Sequence, residues 1–138
     1  MKKLIFAFLP FLGLAQFTPP AGQLGSDAIH RDSNIIQAWA TSAIVERGLV
    51  DIRNPLFEHN DDNFASFGTI SNALGPATGS TIEVISLGDG GYITLSFDKV
   101  IQNLAGPDFC IFSNAFSDTF LELAFVEVSS DGERFVRF

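Results

Sequence analysis

Apolar and polar residues alternate along much of the second half of the chain, which is the pattern of half-buried β-strands. The clearest case is residues 92–97, where Ile93, Leu95 and Phe97 share one face and polar residues and Tyr92 occupy the other. About four or five such strands, separated by turns and with little later helix, predict an antiparallel β-sandwich. The further predicted strands cover 82–87, 109–112 and 120–129, and a last one follows the Asp131-Gly132 hairpin turn.

Helical spacing of apolar residues occurs once, near the start of the chain. Ser33 can act as an N-cap before apolar residues spaced three and four apart, which predicts a short helix over residues 33–40. Residues 41–48 fit either a continuation of this helix to a Gly48 C-cap or a strand with Ala43 and Val45 facing inward. Residues 48–80 form an irregular stretch, and long loops are often functional.

Both ends of the chain bear on its cellular location. Two lysines, the apolar run 4–12 and the small residues Gly13 and Ala15 predict a signal peptide over residues 1–15, followed by a module over 16–138. No other segment approaches the ~20 apolar residues of a membrane-spanning helix. Because the last residues before Phe138 form a strand that stops abruptly, we expect the module to be incomplete at its C-terminus and to belong to a longer exported protein.

Charge and cysteine content narrow the possible partners. The formal net charge is −8, and loss of Lys2 and Lys3 with the signal peptide makes it two units more negative. An acidic chain without a basic cluster is repelled by phosphate backbones, so nucleic-acid binding is not expected. The single cysteine, Cys110, cannot form an intrachain disulfide, and its apolar neighbours predict a buried hydrophobic side chain rather than a nucleophile.

Catalytic signatures are absent from the sequence. It contains neither a Gly-x-Ser-x-Gly elbow nor a His-Glu-x-x-His zinc motif, and His30 and His59 both lie in polar loops without matched ligand spacing. Carboxylate pairs such as those of glycosidases carry no local signature. These patterns favour a non-catalytic protein and leave an enzyme that uses a carboxylate pair open.

Three acidic residues form a candidate calcium site. The run Gly88-Asp89-Gly90-Gly91 fits the turn of a hairpin that joins 82–87 to 92–97, or a turn that also lends the Asp89 carboxylate to a cation. Glu122 lies in an apolar strand, where its charge needs a partner such as Arg134, an outward bulge or a cation. We name Asp89, Asp108 and Glu122 as candidate metal ligands for Ca²⁺.

The polar stretch 58–63, Glu-His-Asn-Asp-Asp-Asn, offers a second group of oxygen donors. It lacks the Asp-x-Asp-x-Asp-Gly spacing of an EF-hand loop. It therefore fits a solvated loop better than a cation site.

The run LGDGG…LSFD…GPDF…FLELAFVEVSSDG, within residues 85–138, resembles a family of exported bacterial cell-surface and secreted proteins. Residues 21–41 and 72–80 share the resemblance. It implies a jelly-roll sandwich of the galactose-binding type, a fold common among non-catalytic binding modules, although the biochemical role of the family is poorly defined. Ser113 departs from the family pattern, which has a glutamate at that position.

Together these patterns predict an all-β, antiparallel jelly-roll-like β-sandwich with a short N-terminal helix, secreted or displayed at the cell surface. The expected function is a non-catalytic binding module, stabilised by calcium, with a glycan or another cell-surface molecule as ligand. Two alternatives stay open. One is part of a secreted glycan-active enzyme whose catalytic residues lie largely elsewhere, and the other is a structural surface-layer or adhesion component without a small ligand.

Overall fold

The computed structural model describes Pro19 and residues 21–114 and 122–137. The predicted signal peptide, residues 1–15, lies outside this part of the chain. The chain divides into two compact units, residues 1–30 and 31–138. In the described part of the first unit, the backbone N–H of Ser26 donates to the carbonyl of Gln23 (3.1 Å) and closes a turn.

The first sheet of the second unit pairs two distant segments. Strand β1 (Ser42–Glu46) is antiparallel to β2 (Tyr92–Ser96), with Val45 opposite Ile93. β2 lies within the strand predicted over 92–97. β1 confirms the strand alternative for 41–48, because Ala43 and Val45 are half-buried while Ile44 is 67% exposed.

One end of this sheet carries a polar cross-strand pair. Glu46 lies opposite Tyr92. Hydrogen bonding to the Glu46 carboxylate, partial desolvation and the negative charge of Glu46 raise the pKa of Tyr92 above its usual value. The raised pKa extends the protonated range of the phenol to higher pH.

The predicted helix over 33–40 is wrong, and the described residues contain no α-helix. Residues 33–36 form a single turn, in which Ile36 N–H donates to the Ser33 carbonyl (3.2 Å), and Lys99 Nζ donates to the carbonyl of Gln37 (3.1 Å). A segment this short is a marginal helix, so contacts with distant residues decide its conformation. The one helical element described is a 3-10 turn at Ile70–Ala73, which contacts β1.

The predicted Asp131-Gly132 hairpin is confirmed. Strands β3 (Glu127–Val128) and β4 (Val136–Arg137) pair antiparallel on either side of it. The Asp131 carboxylate accepts hydrogen bonds from the backbone N–H groups of Glu133 (2.9 Å) and Arg134 (2.8 Å), and Gly132 has a φ of +76°. An aspartate that caps its own turn is the usual chemistry of such a loop.

The jelly-roll sandwich predicted from the sequence is wrong. The described residues form two separate two-stranded sheets, which is too little sheet for a sandwich. Segments 82–87 and 109–112 are not strands, so the predicted hairpin between 82–87 and 92–97 does not form. In the described part of the strand predicted over 120–129, only Glu127–Val128 is extended and paired. Residues 120 and 121 lie outside the described part. Alternation of side chains shows which faces a strand would have, but a strand also needs a backbone partner. Within the described residues, segments 82–87 and 109–112 form no ladder with another strand.

The described residues have a small apolar core. Ala40 and Ala65 are their buried hydrophobic side chains, whereas Val100, Leu123 and Phe125 are at least 80% exposed. No described helix is long and apolar enough to cross a membrane. With so little apolar burial, backbone hydrogen bonds between segments become the main contacts that fix the conformation.

Candidate functional site

The candidate site is built on three backbone segments that meet near Gly48: residues 63–67, 47–50 and 86–89. We call this meeting point the crossing, and residues 47–50 lie in its middle because they bond to both other segments. The middle segment, 47–50, bonds to the segment 63–67 through Val50 N–H, which donates to the Asn63 carbonyl (2.9 Å), and through Ala65 N–H, which donates to the Gly48 carbonyl (2.9 Å). Leu49 and Phe64 consequently lie side by side as a short antiparallel bridge.

The same middle segment bonds on its other side to the glycine-rich loop. Gly48 N–H donates to the Leu87 carbonyl (2.7 Å), and Leu49 and Asp89 exchange two backbone hydrogen bonds of 3.1 and 2.7 Å. The backbones approach so closely because Gly48 has no side chain, since a Cβ there would lie 2.7 Å from the Asp89 carbonyl carbon. Gly88-Asp89-Gly90-Gly91 is therefore a turn that docks on residues 48–52.

A tight turn beside the crossing carries two polar side chains. His59 N–H donates to the Asp62 carbonyl (2.8 Å), and the two residues between them, Asn60 and Asp61, have φ values of +56° and +62°. Left-handed conformations at both central positions define a type I′ turn, and Asn and Asp are the side chains that tolerate them best after glycine. The polar stretch 58–63 thus has a defined conformation.

A cleft of about 400 Å³ opens between this turn and the crossing. Its apolar surface includes Phe64 and Phe67, which are 45% and 55% exposed. His59, Asn60, Ser66 and Ser86 add polar groups to the lining. Aromatic surface beside a few hydrogen-bonding groups is typical of a small-molecule site, because it binds a ligand with one apolar face and a polar edge.

The three predicted calcium ligands do not form a cluster. The described residues contain no group of three or more His, Cys, Asp or Glu side chains able to hold a metal ion. Asp89 Oδ2 accepts a hydrogen bond from Ile52 N–H (3.0 Å), and Asp108 Oδ1 accepts one from Leu104 N–H (2.9 Å). Glu122 is exposed. Calcium binding by these residues stays a prediction.

The argument that a buried glutamate needs a partner also changes. Glu122 and Glu127 are both exposed, so neither requires a compensating cation. The ion pair across the hairpin joins Glu127 to Arg137 (2.9 Å), whereas the sequence predicted one between Glu122 and Arg134. The Arg137 guanidinium also lies 4.0 Å from the centre of the Phe125 ring. The ion pair thus forms where the hairpin register places opposite charges side by side.

Cys110 is exposed rather than buried, which corrects the prediction of a core side chain. Partial desolvation raises the pKa of its thiol. A raised pKa keeps the thiol protonated at neutral pH, which disfavours nucleophilic chemistry.

Comparison with known proteins adds no functional assignment: no family model, curated protein or solved structure matches the chain. The resemblance to exported surface proteins therefore stays a prediction. The candidate site is defined by its geometry alone.

Sequence reasoning did not identify the cleft. Phe64 and Phe67 occur in Asn-Phe-Ala-Ser-Phe-Gly, inside a stretch predicted to be a loop. Two phenylalanines three residues apart, directly after a polar turn, are unusual for a solvated loop. That contrast is the local signal that points to an aromatic surface.

Proposed function

We propose that the chain is a non-catalytic binding module of an exported protein and that the cleft binds carbohydrate. The observation that supports this is the pair of exposed rings, Phe64 and Phe67, beside the polar groups of His59 and Asn60. A pyranose ring has an apolar C–H face that packs on an aromatic ring and hydroxyl groups at its edge that need hydrogen-bond partners. The two kinds of lining group meet both requirements.

The size and exposure of the cleft support a small ligand. Its volume of about 400 Å³ falls within the range of roughly 300–1,000 Å³ that is usual for ligand sites. A ligand that covers the rings removes apolar surface from water, which favours binding by about 25 cal/mol for each Å² buried. The residues of the cleft lining include no carboxylate, whereas glycoside hydrolysis uses a pair.

Export supports the choice of ligand. The predicted signal peptide would deliver residues 16–138 to the cell surface or the medium, where polysaccharides are abundant ligands. The net charge is −8 for the whole chain and two units more negative without Lys2 and Lys3, which favours neutral over anionic glycans.

The test is binding of the mature chain to a panel of soluble neutral polysaccharides, followed by calorimetry with oligosaccharides of any that bind. Phe67→Ala should weaken binding at least about tenfold, because it removes the stacking surface. Phe57→Ala is the matched control, since Phe57 is 46% exposed and does not line the cleft. Its affinity should equal that of the unmodified chain.

Three outcomes would contradict the proposal. Equal losses for Phe57→Ala and Phe67→Ala would place the binding surface outside the cleft. Release of new reducing ends from a bound polysaccharide would favour the glycan-active enzyme instead. A panel without binding, together with self-association in solution, would favour a structural surface component.

A further inference from the structure

We propose that Arg47 is the positioning residue of the cleft, an inference that rests on the proposed function. Its guanidinium Nη1 donates to the carbonyl oxygens of Phe67 (2.9 Å) and Ser86, and Nη2 donates to that of Gly68 (2.8 Å). All three acceptors belong to residues that line the cleft. One side chain therefore ties two of the backbone segments that form the cleft wall.

The electrostatics of Arg47 favour a geometric role. Arg47 is half-buried, and within the described residues its charged group contacts carbonyl oxygens and no carboxylate. A planar guanidinium presents several donors in a fixed fork, which suits acceptors on two different segments. An ammonium group is compact and cannot reach the same three carbonyls together, so a lysine would keep the charge and lose the arrangement.

The joined segments approach each other through backbone atoms. Ser86 N–H donates to the Phe67 carbonyl (3.0 Å), and Gly68 has a φ of +73° with the carbonyl of Val84 in the place where a Cβ would lie. Side-chain donors also hold this approach: Asn72 Nδ2 donates to the Val84 carbonyl (3.0 Å), and the Arg47 guanidinium donates to carbonyls on both segments. Because Phe67 supplies one of the acceptors, loss of the fork releases the backbone that orients its ring.

The ligand surface and the fork thus use different parts of one residue. Phe67 lines the cleft and is 55% exposed, and its carbonyl accepts from Arg47. A fixed ring loses less conformational freedom when a ligand packs on it, which raises affinity. Arg47 therefore acts on ligand affinity through Phe67.

The test compares Arg47→Lys with Arg53→Lys in the mature chain. Arg53 is the matched control because its side chain is 90% exposed and makes only a loose ion pair with Asp51 (3.6 Å). In the first measurement, hydrogen exchange of the Ser86 amide is followed by NMR without ligand. Arg47→Lys should accelerate this exchange at least about tenfold relative to the control. The reason is that the Ser86 amide donates to the Phe67 carbonyl, which the substitution releases from the guanidinium.

The second measurement is affinity for the oligosaccharide that binds the unmodified chain best, at a temperature where both variants are fully folded. Arg47→Lys should bind at least about tenfold more weakly, and Arg53→Lys should be unchanged. Unchanged Ser86 exchange in Arg47→Lys would overturn the positioning role, as would equal affinity losses in both variants. A panel without any binding sugar refutes the proposed function, and the exchange measurement still decides whether Arg47 fixes the cleft wall.

Discussion

Replacing Gly48 by alanine should open the crossing of backbone segments beneath the cleft. The new Cβ would overlap backbone atoms of Asp89 and Gly91. A backbone atom cannot move aside as the end of a flexible side chain can. Three hydrogen bonds depend on this approach: Gly48 to Leu87, and the two exchanged by Leu49 and Asp89. Loss of these three bonds, at a net ~1 kcal/mol each, should lower the free energy of unfolding of Gly48→Ala by about 3 kcal/mol. This value lies at the upper end of the about 1–3 kcal/mol that is typical of overpacking.

Urea unfolding followed by Trp39 fluorescence measures this loss, with Gly90→Ala as the control. Gly90 has a φ of +78° and open space around its Cα, so alanine there should cost only the backbone conformational penalty, about 1–2 kcal/mol. Hydrogen exchange should accelerate at Leu49 and Asp89 in Gly48→Ala and not in Gly90→Ala. The reasoning is refuted if Gly48→Ala is no more destabilising than the control and these two amides keep their protection.

Two further predictions concern carboxylates. Hydrogen bonds from the backbone of Arg134 and Glu133 and from Ser129 lower the pKa of Asp131 below its usual 3.8. The charged carboxylate stabilises the folded state fully above pH 3.8, and this stabilisation is lost as the pH falls through the lower folded pKa. Asp131→Asn should therefore flatten the dependence of the unfolding free energy on pH below about 4. An unchanged slope would contradict this. Separately, the calcium site predicted from Asp89 and its partners requires the thermal unfolding midpoint to be higher with calcium than with chelator, because a ligand of the native state must stabilise it; equal midpoints would exclude it.

Features of the fold that depend only on residues close together in the sequence could be predicted. β2 follows from strict alternation over 92–97, and the β3–β4 hairpin follows from Asp131-Gly132, whose turn chemistry is local. Each of these signals acts within a few residues.

Pairing between distant segments could not be predicted in the same way. β1 and β2 are joined by partners some fifty positions apart, such as Ser42 and Ser96, and nothing in either segment specifies the other. The same holds for the cleft, whose lining comes from segments that are distant in the sequence and meet where Gly48 permits a close crossing. Arg47 has no local signal either, since its three acceptors are backbone carbonyls, which every residue carries.

The small core and the exposed rings have a common physical cause. In a well-packed domain, apolar side chains are held by burial, and a buried ring is not accessible to a ligand. Here the segment that carries Phe64 and Phe67 is held by backbone bonds to residues 48–50 and by the Arg47 fork, so its backbone is fixed while both rings stay exposed. Stability and cleft shape therefore depend on the same backbone contacts. Substitutions in the crossing should change both together, whereas truncation of the Phe67 ring removes ligand surface and leaves the backbone contacts in place.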